Sequence, residues 1–114
     1  MTDAIKVIRE QNDRLRQGDP TIPGQIFVTH GLTALLNDTD TKPEKLFQIV
    51  SSYSSFSPDN DPHEEHDFGS FKFQGQTCFW KIDYYDPTLK WGSDDPSDLE
   101  KTVRVMTLML ADEY

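Results

Sequence analysis

The stretch DFGSFKFQGQTCFWKIDYY, residues 67–85, decides the fold of this chain. Apolar and polar residues alternate on both sides of Gln74-Gly75-Gln76, which is typical of two strands joined by a tight turn. The pattern predicts a β-hairpin of residues 67–73 and 77–85. Cross-strand pairing puts one set of side chains on the face toward the core: Phe71, Phe73, Cys78, Trp80 and Ile82. The other face receives Lys72, Phe79, Lys81 and Asp83.

Helices are predicted on both sides of this hairpin. Residues 2–17 carry a narrow apolar stripe behind a cap at Thr2 or Asp3. A strand is predicted within residues 25–32, and a second helix follows Thr41. Ser97-Asp98-Leu99-Glu100 has the form of a capping box, which predicts a last helix over residues 98–114. The expected order is α-β-α-β-β-α, an α+β fold with a small, mostly antiparallel sheet and helices packed on one face.

Length and composition limit the possible classes of protein. The 114 residues suit a single domain, residues 1–114, and 20 acidic against 11 basic side chains give a net charge of -9. Such a charge is repelled by nucleic acid and by anionic membranes, so neither is an expected partner. With Cys78 as the single cysteine, a disulfide framework is excluded. No signal peptide or membrane span is recognisable, and we expect a cytoplasmic protein.

The negative charge is concentrated in one part of the chain. Residues 56–100 hold eleven acidic and three basic side chains, whereas residues 1–55 hold seven and six. The loops at the open end of the hairpin are expected to meet at one edge of the sheet. This predicts an acidic, aromatic partner-binding edge with the following residues: Asp59, Asp61, Glu64, Glu65, His66, Asp67, Asp83, Tyr85, Asp86, Trp91, Asp94 and Asp95.

Two chemical alternatives arise within the same residues. His63 and His66 stand among carboxylates, and His66, Asp67 and Asp83 are conceivable metal ligands. We expect instead a solvated loop in which His66 pairs with a carboxylate. Lys81 and Asp83 favour a cross-strand ion pair with Tyr85 packed beside it, and Asp59-Asn60-Asp61-Pro62 favours an Asx-turn over a calcium loop. No cofactor and no catalytic residue are predicted.

Five runs of the sequence, spread over much of its length, resemble a small bacterial family: Phe56-Ser57-Pro58-Asp59-Asn60-Asp61-Pro62, Glu65-His66-Asp67-Phe68-Gly69, Trp80-Lys81-Ile82-Asp83-Tyr84-Tyr85-Asp86, Ser93-x-Asp95-Pro96 and Arg104-Val105-Met106-Thr107-Leu108-Met109-Leu110-Ala111-x-Glu113-Tyr114. This is the domain of unknown function family numbered 3768. The resemblance implies a cytosolic proteobacterial protein of the kind often encoded on plasmids and other mobile elements, and it implies no activity. The family usually has an aromatic residue where His63 stands, which counts against a metal site with two histidines.

These features favour a small, acidic, non-enzymatic binding protein. Its expected partner is a protein with a basic surface, and its expected role is to help a mobile element, for example by inhibiting a host defence or nucleic-acid-binding protein. The alternatives are a metal-dependent hydrolase or other small enzyme built from Glu65, His66 and Asp67 with Asp83, and a small-ligand binder. The wide apolar surface of the predicted 98–114 helix also suggests a homodimer.

Overall fold

The computed structural model describes residues 3–114, in which three helices and a 3₁₀ turn accompany four strands. The elements in chain order are α1 (Asp3–Arg16), β1 (Gly24–Val28), α2 (His30–Asp38), α3 (Pro43–Ser51), β2 (Phe68–Phe73), β3 (Gln76–Tyr85), β4 (Val103–Leu110) and the 3₁₀ turn (Ala111–Glu113). The predicted α+β class is therefore confirmed. The cap predicted at Thr2 lies outside the described residues.

The strands form one mixed sheet with the order β1-β4-β3-β2. β3 pairs antiparallel with both β2 and β4, and β1 pairs parallel with β4. The predicted hairpin is confirmed, with Phe71 opposite Cys78 and Gly69 opposite Trp80. Its turn is closed by Gly75, whose φ of 77° is a conformation that glycine adopts without strain.

The predicted helix over residues 98–114 is wrong, because this segment forms β4. From Thr102 to Leu108 every second residue is buried, the period of a strand. Threonines and valines are frequent in this segment, and their branched side chains favour strands. The predicted capping box is also absent, since the Ser97 hydroxyl donates to Asp95 Oδ1 at 2.6 Å and caps no helix. A homodimer contact through a 98–114 helix therefore has no structural basis.

The core lies between the helices and one face of the sheet. Side chains from α2 and α3 pack against this face, where Trp80, Leu108, Leu32 and Leu46 are fully buried. The outer face of the sheet carries partly exposed side chains, among them Phe79, which packs with Phe68 and Tyr114. The helical layer on one side thus leaves the other face of the sheet in contact with solvent.

Candidate functional site

The inner face of α1 carries a row of buried polar side chains. Gln11, Asn12 and Arg16 are each less than a tenth exposed, and they lie along the stripe that also contains Ile8 and Leu15. Their helical spacing turns them toward the sheet at the end where β3 stops and β4 begins. Buried polar groups of this kind must find hydrogen-bond partners. Gln11 and Asn12 find theirs within residues 65–104, whereas Arg16 donates to Asp13 and to backbone carbonyls at the end of α3.

Arg104 on β4 is the centre of this polar layer and is wholly buried. Its Nε donates to Asn12 Oδ1 at 2.6 Å, and its Nη2 donates to Gln11 Oε1 and to the Pro96 carbonyl, both at 2.9 Å. The guanidinium also lies 5.1 Å from the ring centroid of Tyr84, its cross-strand neighbour. Arg104 therefore joins α1, β3 and the loop that precedes β4.

Tyr84 connects the same layer to the loop before β2. Its hydroxyl donates to Glu65 Oε1 at 2.7 Å and accepts from Asn12 Nδ2 at 2.8 Å. Asn12 Nδ2 also reaches the Glu65 carbonyl at 3.0 Å. Burial and the bond to Glu65 raise the pKa of Tyr84, so that the phenol stays protonated and keeps donating. Glu65 is thus part of the fold and is not free for a ligand.

His66 is held between two carboxylates, which confirms the predicted pairing of this histidine with a carboxylate. Its Nδ1 lies 2.8 Å from Asp13 Oδ1, and its Nε2 lies 3.6 Å from Oδ2 of the buried Asp61. The ring stacks on Phe56 at a centroid distance of 3.6 Å, and Arg16 Nη2 completes the group with a 2.7 Å contact to Asp13. Because both ring nitrogens face carboxylates, neither is directed at open solvent.

The carboxyl group of Asp67 lies near this group, in surroundings that disfavour its ionised form. Burial raises the pKa of its carboxyl group, and the nearby carboxylates of Glu65 and Asp61 raise it further. Its backbone carbonyl accepts a 2.8 Å hydrogen bond from the Ile82 amide, which fixes the start of the hairpin. The carboxylate is therefore placed by the strand pairing and not by a partner of its own.

Lys81 and Asp83 lie on the outer face of the sheet, as the alternation of β3 requires. Their side chains form an ion pair at 3.0 Å, but within β3 and not across two strands as predicted, and hydrogen bonding to Asp83 raises the pKa of Lys81. Glu65 and His66 are tied to the helix side of the sheet. The sheet therefore separates Asp83 from the residues with which it would have to act in the predicted enzyme or metal site.

Asp86 and Asp95 organise the loops in which they stand. Asp86 Oδ1 accepts from the Thr88 hydroxyl and from the Lys90 amide, which lowers the pKa of Asp86 and shapes the turn that presents the exposed Trp91. Asp95 Oδ1 accepts from the amide and hydroxyl of Ser97 in the same manner. Asp95 therefore forms an Asx-turn within Asp94-Asp95-Pro96-Ser97.

All the carboxylates of residues 56–100 except Asp83 lie in two segments, residues 56–67 and 86–101. We call these two segments the acidic loops. Both are attached to α1, the first by Arg9 Nη1 donating to the Glu64 carbonyl at 3.3 Å, the second by Gln11 Nε2 donating to the Ser97 carbonyl at 2.9 Å. Asp59, Glu64 and Asp94 are exposed on them. The structure thus brings the two loops to one end of the sheet, with α1 between them.

The residues that hold this site together were missed by the sequence prediction: Gln11, Asn12, Asp13, Arg16 and Arg104. Arg104 interrupts an otherwise apolar strand, and Asn12 and Arg16 fall on the apolar stripe of α1. A polar residue at a position that the periodicity assigns to the core could have indicated this site. Such a residue is buried only when it has hydrogen-bond or charged partners, so it marks a buried polar network.

Within residues 3–114, no three His, Cys, Asp or Glu side chains come together in a way that could hold a metal ion. Cys78 is buried among apolar side chains, as predicted. None of the described helices is long and apolar enough to cross a bilayer.

Comparison with known proteins places the chain in a family. No curated protein and no solved structure matches it. A family model described as a protein of unknown function, DUF3768, matches residues 28–113, well over half of the sequence. The match begins at the end of β1 and includes the whole hairpin, both acidic loops and β4. The resemblance found in the sequence is thereby confirmed, and the chain belongs to the DUF3768 family.

Proposed function

We propose that this protein is a non-enzymatic binding protein that presents its acidic loops to the basic surface of a partner protein. One observation carries the proposal. Of the eleven carboxylates in residues 56–100, Asp83 alone pairs with a lysine or arginine among the described residues, and Asp61 alone faces a histidine. The other nine form no ion pair with a lysine or arginine of the described residues, and those that are exposed leave a negatively charged surface.

A surface of this kind suits recognition of a basic partner. Uncompensated charge of one sign attracts the opposite sign over about a Debye length and increases the rate of encounter. Complementary charge also selects among partners, because a surface of like sign is repelled. The partner that fits is a protein with a basic groove, such as one that binds nucleic acid.

The attachment of the loops supports the same conclusion. Asn12, Tyr84 and Arg104, which are buried or partly buried, bond to Glu65 in the first loop and to the Pro96 carbonyl in the second, so each loop is attached to the core before a partner arrives. A preorganised surface loses less conformational entropy on binding than a mobile one. Because Glu65, Asp86 and Asp95 are engaged in these bonds and turns, the recognition falls to the exposed carboxylates of the loops.

The biological role that we propose is that of an accessory to a mobile element, acting on a host defence or nucleic-acid-binding protein. This part depends on the resemblance to the family, whose members are often carried by plasmids. A non-enzymatic role is favoured because the two ring nitrogens of His66 face Asp13 and Asp61, and because Asp83 stands on the opposite face of the sheet.

A charge-neutralising variant tests the proposal. Four exposed carboxylates of the acidic loops are replaced together: Asp59→Asn, Glu64→Gln, Asp94→Asn and Glu100→Gln. The matched control removes four exposed carboxylates elsewhere: Asp38→Asn, Asp40→Asn, Glu44→Gln and Asp112→Asn. Each protein is used to capture partners from bacterial cytosol, and the captured proteins are compared by mass spectrometry.

The expected result is a basic protein captured by the wild type and by the control but lost by the loop variant. Adding the wild type should then displace DNA or RNA from that partner. Equal capture by both variants, or partners without a basic surface, would show that the acidic loops are not the recognition site.

A further inference from the structure

Strand β1 forms one edge of the sheet and is unusually open. It pairs with β4 on one side and with no described residue on the other. Ile26 is 43% exposed and Phe27 is 54% exposed, although they lie on opposite faces of the strand. Apolar side chains that remain exposed on both faces of an edge strand mark a surface suited to further pairing.

The outward backbone groups of β1 can be identified from its neighbours. The Pro23 carbonyl accepts from the Arg104 amide at 3.1 Å, and the Thr29 amide donates to the Leu108 carbonyl at 3.0 Å. Backbone groups alternate in direction along a strand, so the odd-numbered residues between them also face β4. The amides and carbonyls of Gly24, Ile26 and Val28 therefore point away from the sheet and are free to pair.

An open apolar groove of about 340 Å³ runs along this edge on the helix side of the sheet. Ile26 and Met106 form its floor, and Phe47 and Val50 of α3 form a wall. The helices stop short of covering it, and Phe47 is itself 38% exposed. A fifth strand beside β1 would direct every second side chain into this groove.

The opposite edge of the sheet is protected where β1 is not. In β2 the outward Ser70 amide donates to the Tyr53 hydroxyl at 3.4 Å, and the exposed Lys72 stands farther along the same edge. A lysine on an edge strand is a common device against pairing with another chain. The β1 sequence, Gly24-Gln25-Ile26-Phe27-Val28, has no charge and no proline.

The distribution of charge indicates what can approach this edge. Two copies of a chain with a net charge of -9 repel each other, but most of that charge comes from residues 56–100. β1 and the helices next to it belong to residues 1–55, where seven acidic side chains meet six basic ones. This is consequently a part of the molecule where a second copy meets little repulsion.

We propose that β1 pairs with β1 of a second copy of this chain, antiparallel and about a two-fold axis at Ile26. In this register Ile26 is opposite Ile26, and Gly24 is opposite Val28 of the other copy. All the free amides and carbonyls of the strand then find partners at once, because each of these pairs is of the hydrogen-bonded kind. The two four-stranded sheets become one continuous sheet, and the two grooves close over each other.

The size of the contact sets the strength that we expect. Paired strands of five residues with one apolar groove form an interface at the small end of the range for specific complexes. The dimer should therefore dissociate in the micromolar range, on the order of 1–100 µM. This dimer is independent of the acidic loops, which lie elsewhere in the chain.

Sedimentation of the full chain over a range of concentrations tests the pairing. The wild type should change from monomer to dimer as its concentration rises from about 1 to 500 µM. Ile26→Pro removes an amide that has no partner within the monomer, and it should weaken the dimer about tenfold or more while circular dichroism is unchanged. Lys72→Pro, on the protected edge, is the matched control and should dimerise like the wild type.

Single cysteines test the register. Across a hydrogen-bonded antiparallel pair the Cα atoms are about 5.5 Å apart, a distance that a disulfide spans. Ile26→Cys should therefore form a covalent dimer when it is oxidised with copper phenanthroline. Val28→Cys should not, because two residues 28 would be about 13 Å apart along the strands. The native Cys78 is buried, so the wild type provides the background.

The results are decisive in either direction. Dimerisation lost in Ile26→Pro, together with crosslinking at position 26 but not 28, supports the proposal. A monomer at all concentrations, a dimer that Ile26→Pro does not weaken, or equal crosslinking at both positions overturns it. A monomer that instead binds a strand of another protein along β1 also overturns it.

Discussion

Arg104 is fully buried, although arginine side chains usually lie at the protein surface. It is a charged side chain with no exposure, in the middle of a strand that is otherwise largely apolar. Burial lowers the pKa of its guanidinium, while the neighbouring Tyr84 and Glu65 act in the opposite direction. Its acceptors are two amide side chains and a carbonyl, which bond Nε and Nη2 without a direct carboxylate partner, while the buried Nη1 has no hydrogen-bond partner among the described residues.

Removing Arg104 should therefore destabilise the protein strongly. Arg104→Ala leaves Asn12 Oδ1 and Gln11 Oε1 buried without a donor and opens a cavity, and we expect a loss of about 3–5 kcal/mol in the free energy of unfolding. Urea denaturation followed by circular dichroism measures it. Arg14→Ala removes an arginine of the exposed pair with Asp19 and should change stability little. Equal effects of the two substitutions would contradict the role given to Arg104.

Asp67 is a residue whose charge opposes folding. The folded chain raises the pKa of this carboxyl group by burying it near Glu65 and Asp61, so it binds its proton more tightly than the unfolded chain does. Its ionisation therefore costs stability as the pH rises from the ordinary pKa of an aspartate through the raised one. Below the ordinary pKa this cost is absent.

Asp67→Asn should consequently stabilise the protein at pH 7 and lose that advantage near pH 3. The gain should be less than about 1 kcal/mol, because the group is only half-buried. Urea denaturation of variant and wild type at both pH values measures the difference, and Asp59→Asn, which removes a charge from the same loop, is the control. A gain that is the same at both pH values would show that it does not come from ionisation.

At the scale of the elements, the β2–β3 hairpin depends on a close approach at Gly69. Trp80 is opposite Gly69 and fully buried, and its indole lies over the glycine where a side chain would otherwise stand. Tyr53 packs edge-on against the same indole at a centroid distance of 5.5 Å. Because Gly69 has no side chain, the indole of Trp80, the largest fully buried side chain, can occupy the space beside it.

Gly69→Ala should destabilise the hairpin by about 3 kcal/mol, the upper end of the usual cost of overpacking a core. Its Cβ would overlap Trp80 Nε1 and lie 2.8 Å from Tyr53 Cζ, so the core would have to shift. Gly75→Ala is the comparison, because nothing lies near that position and its cost of about 1 kcal/mol would come from the positive φ alone. Thermal unfolding and tryptophan fluorescence report both. A larger effect at Gly75 than at Gly69 would contradict this account of the packing.

The last element shows where sequence patterns are ambiguous. Val103–Leu110 is so rich in apolar residues that its positions can be drawn onto a helix, and the helix prediction came from that count. A segment with apolar residues on more than one helical stripe fits a central strand at least as well. β4 lies between β1 and β3, so both of its edges are paired, and the residues between its buried positions are only partly exposed, which suits an apolar composition.

At the scale of the whole molecule, the uneven distribution of charge along the sequence gives the folded protein one acidic surface and one that is nearly neutral. The acidic loops lie at one end of the sheet, on either side of α1, whereas the β1 edge belongs to the electrically balanced part of the chain. The two proposed interactions therefore use different surfaces. One depends on charge and should weaken with salt, and the other depends on backbone pairing and apolar contact.

The sequence by itself determined the α+β class, the hairpin with its two faces, the family and the location of the negative charge. The family follows from the resemblance of particular runs of residues, and the other three follow from local alternation, turn residues or composition, which the chain carries regardless of how distant segments meet. Only the tertiary structure decided that residues 103–110 are a strand, that Arg104 joins α1 to the acidic loop before β4, and that His66 lies between Asp13 and Asp61. Each of these depends at least in part on contacts between distant residues, such as Arg104 with Asn12 and His66 with Asp13, whose energy exists only after the chain has folded.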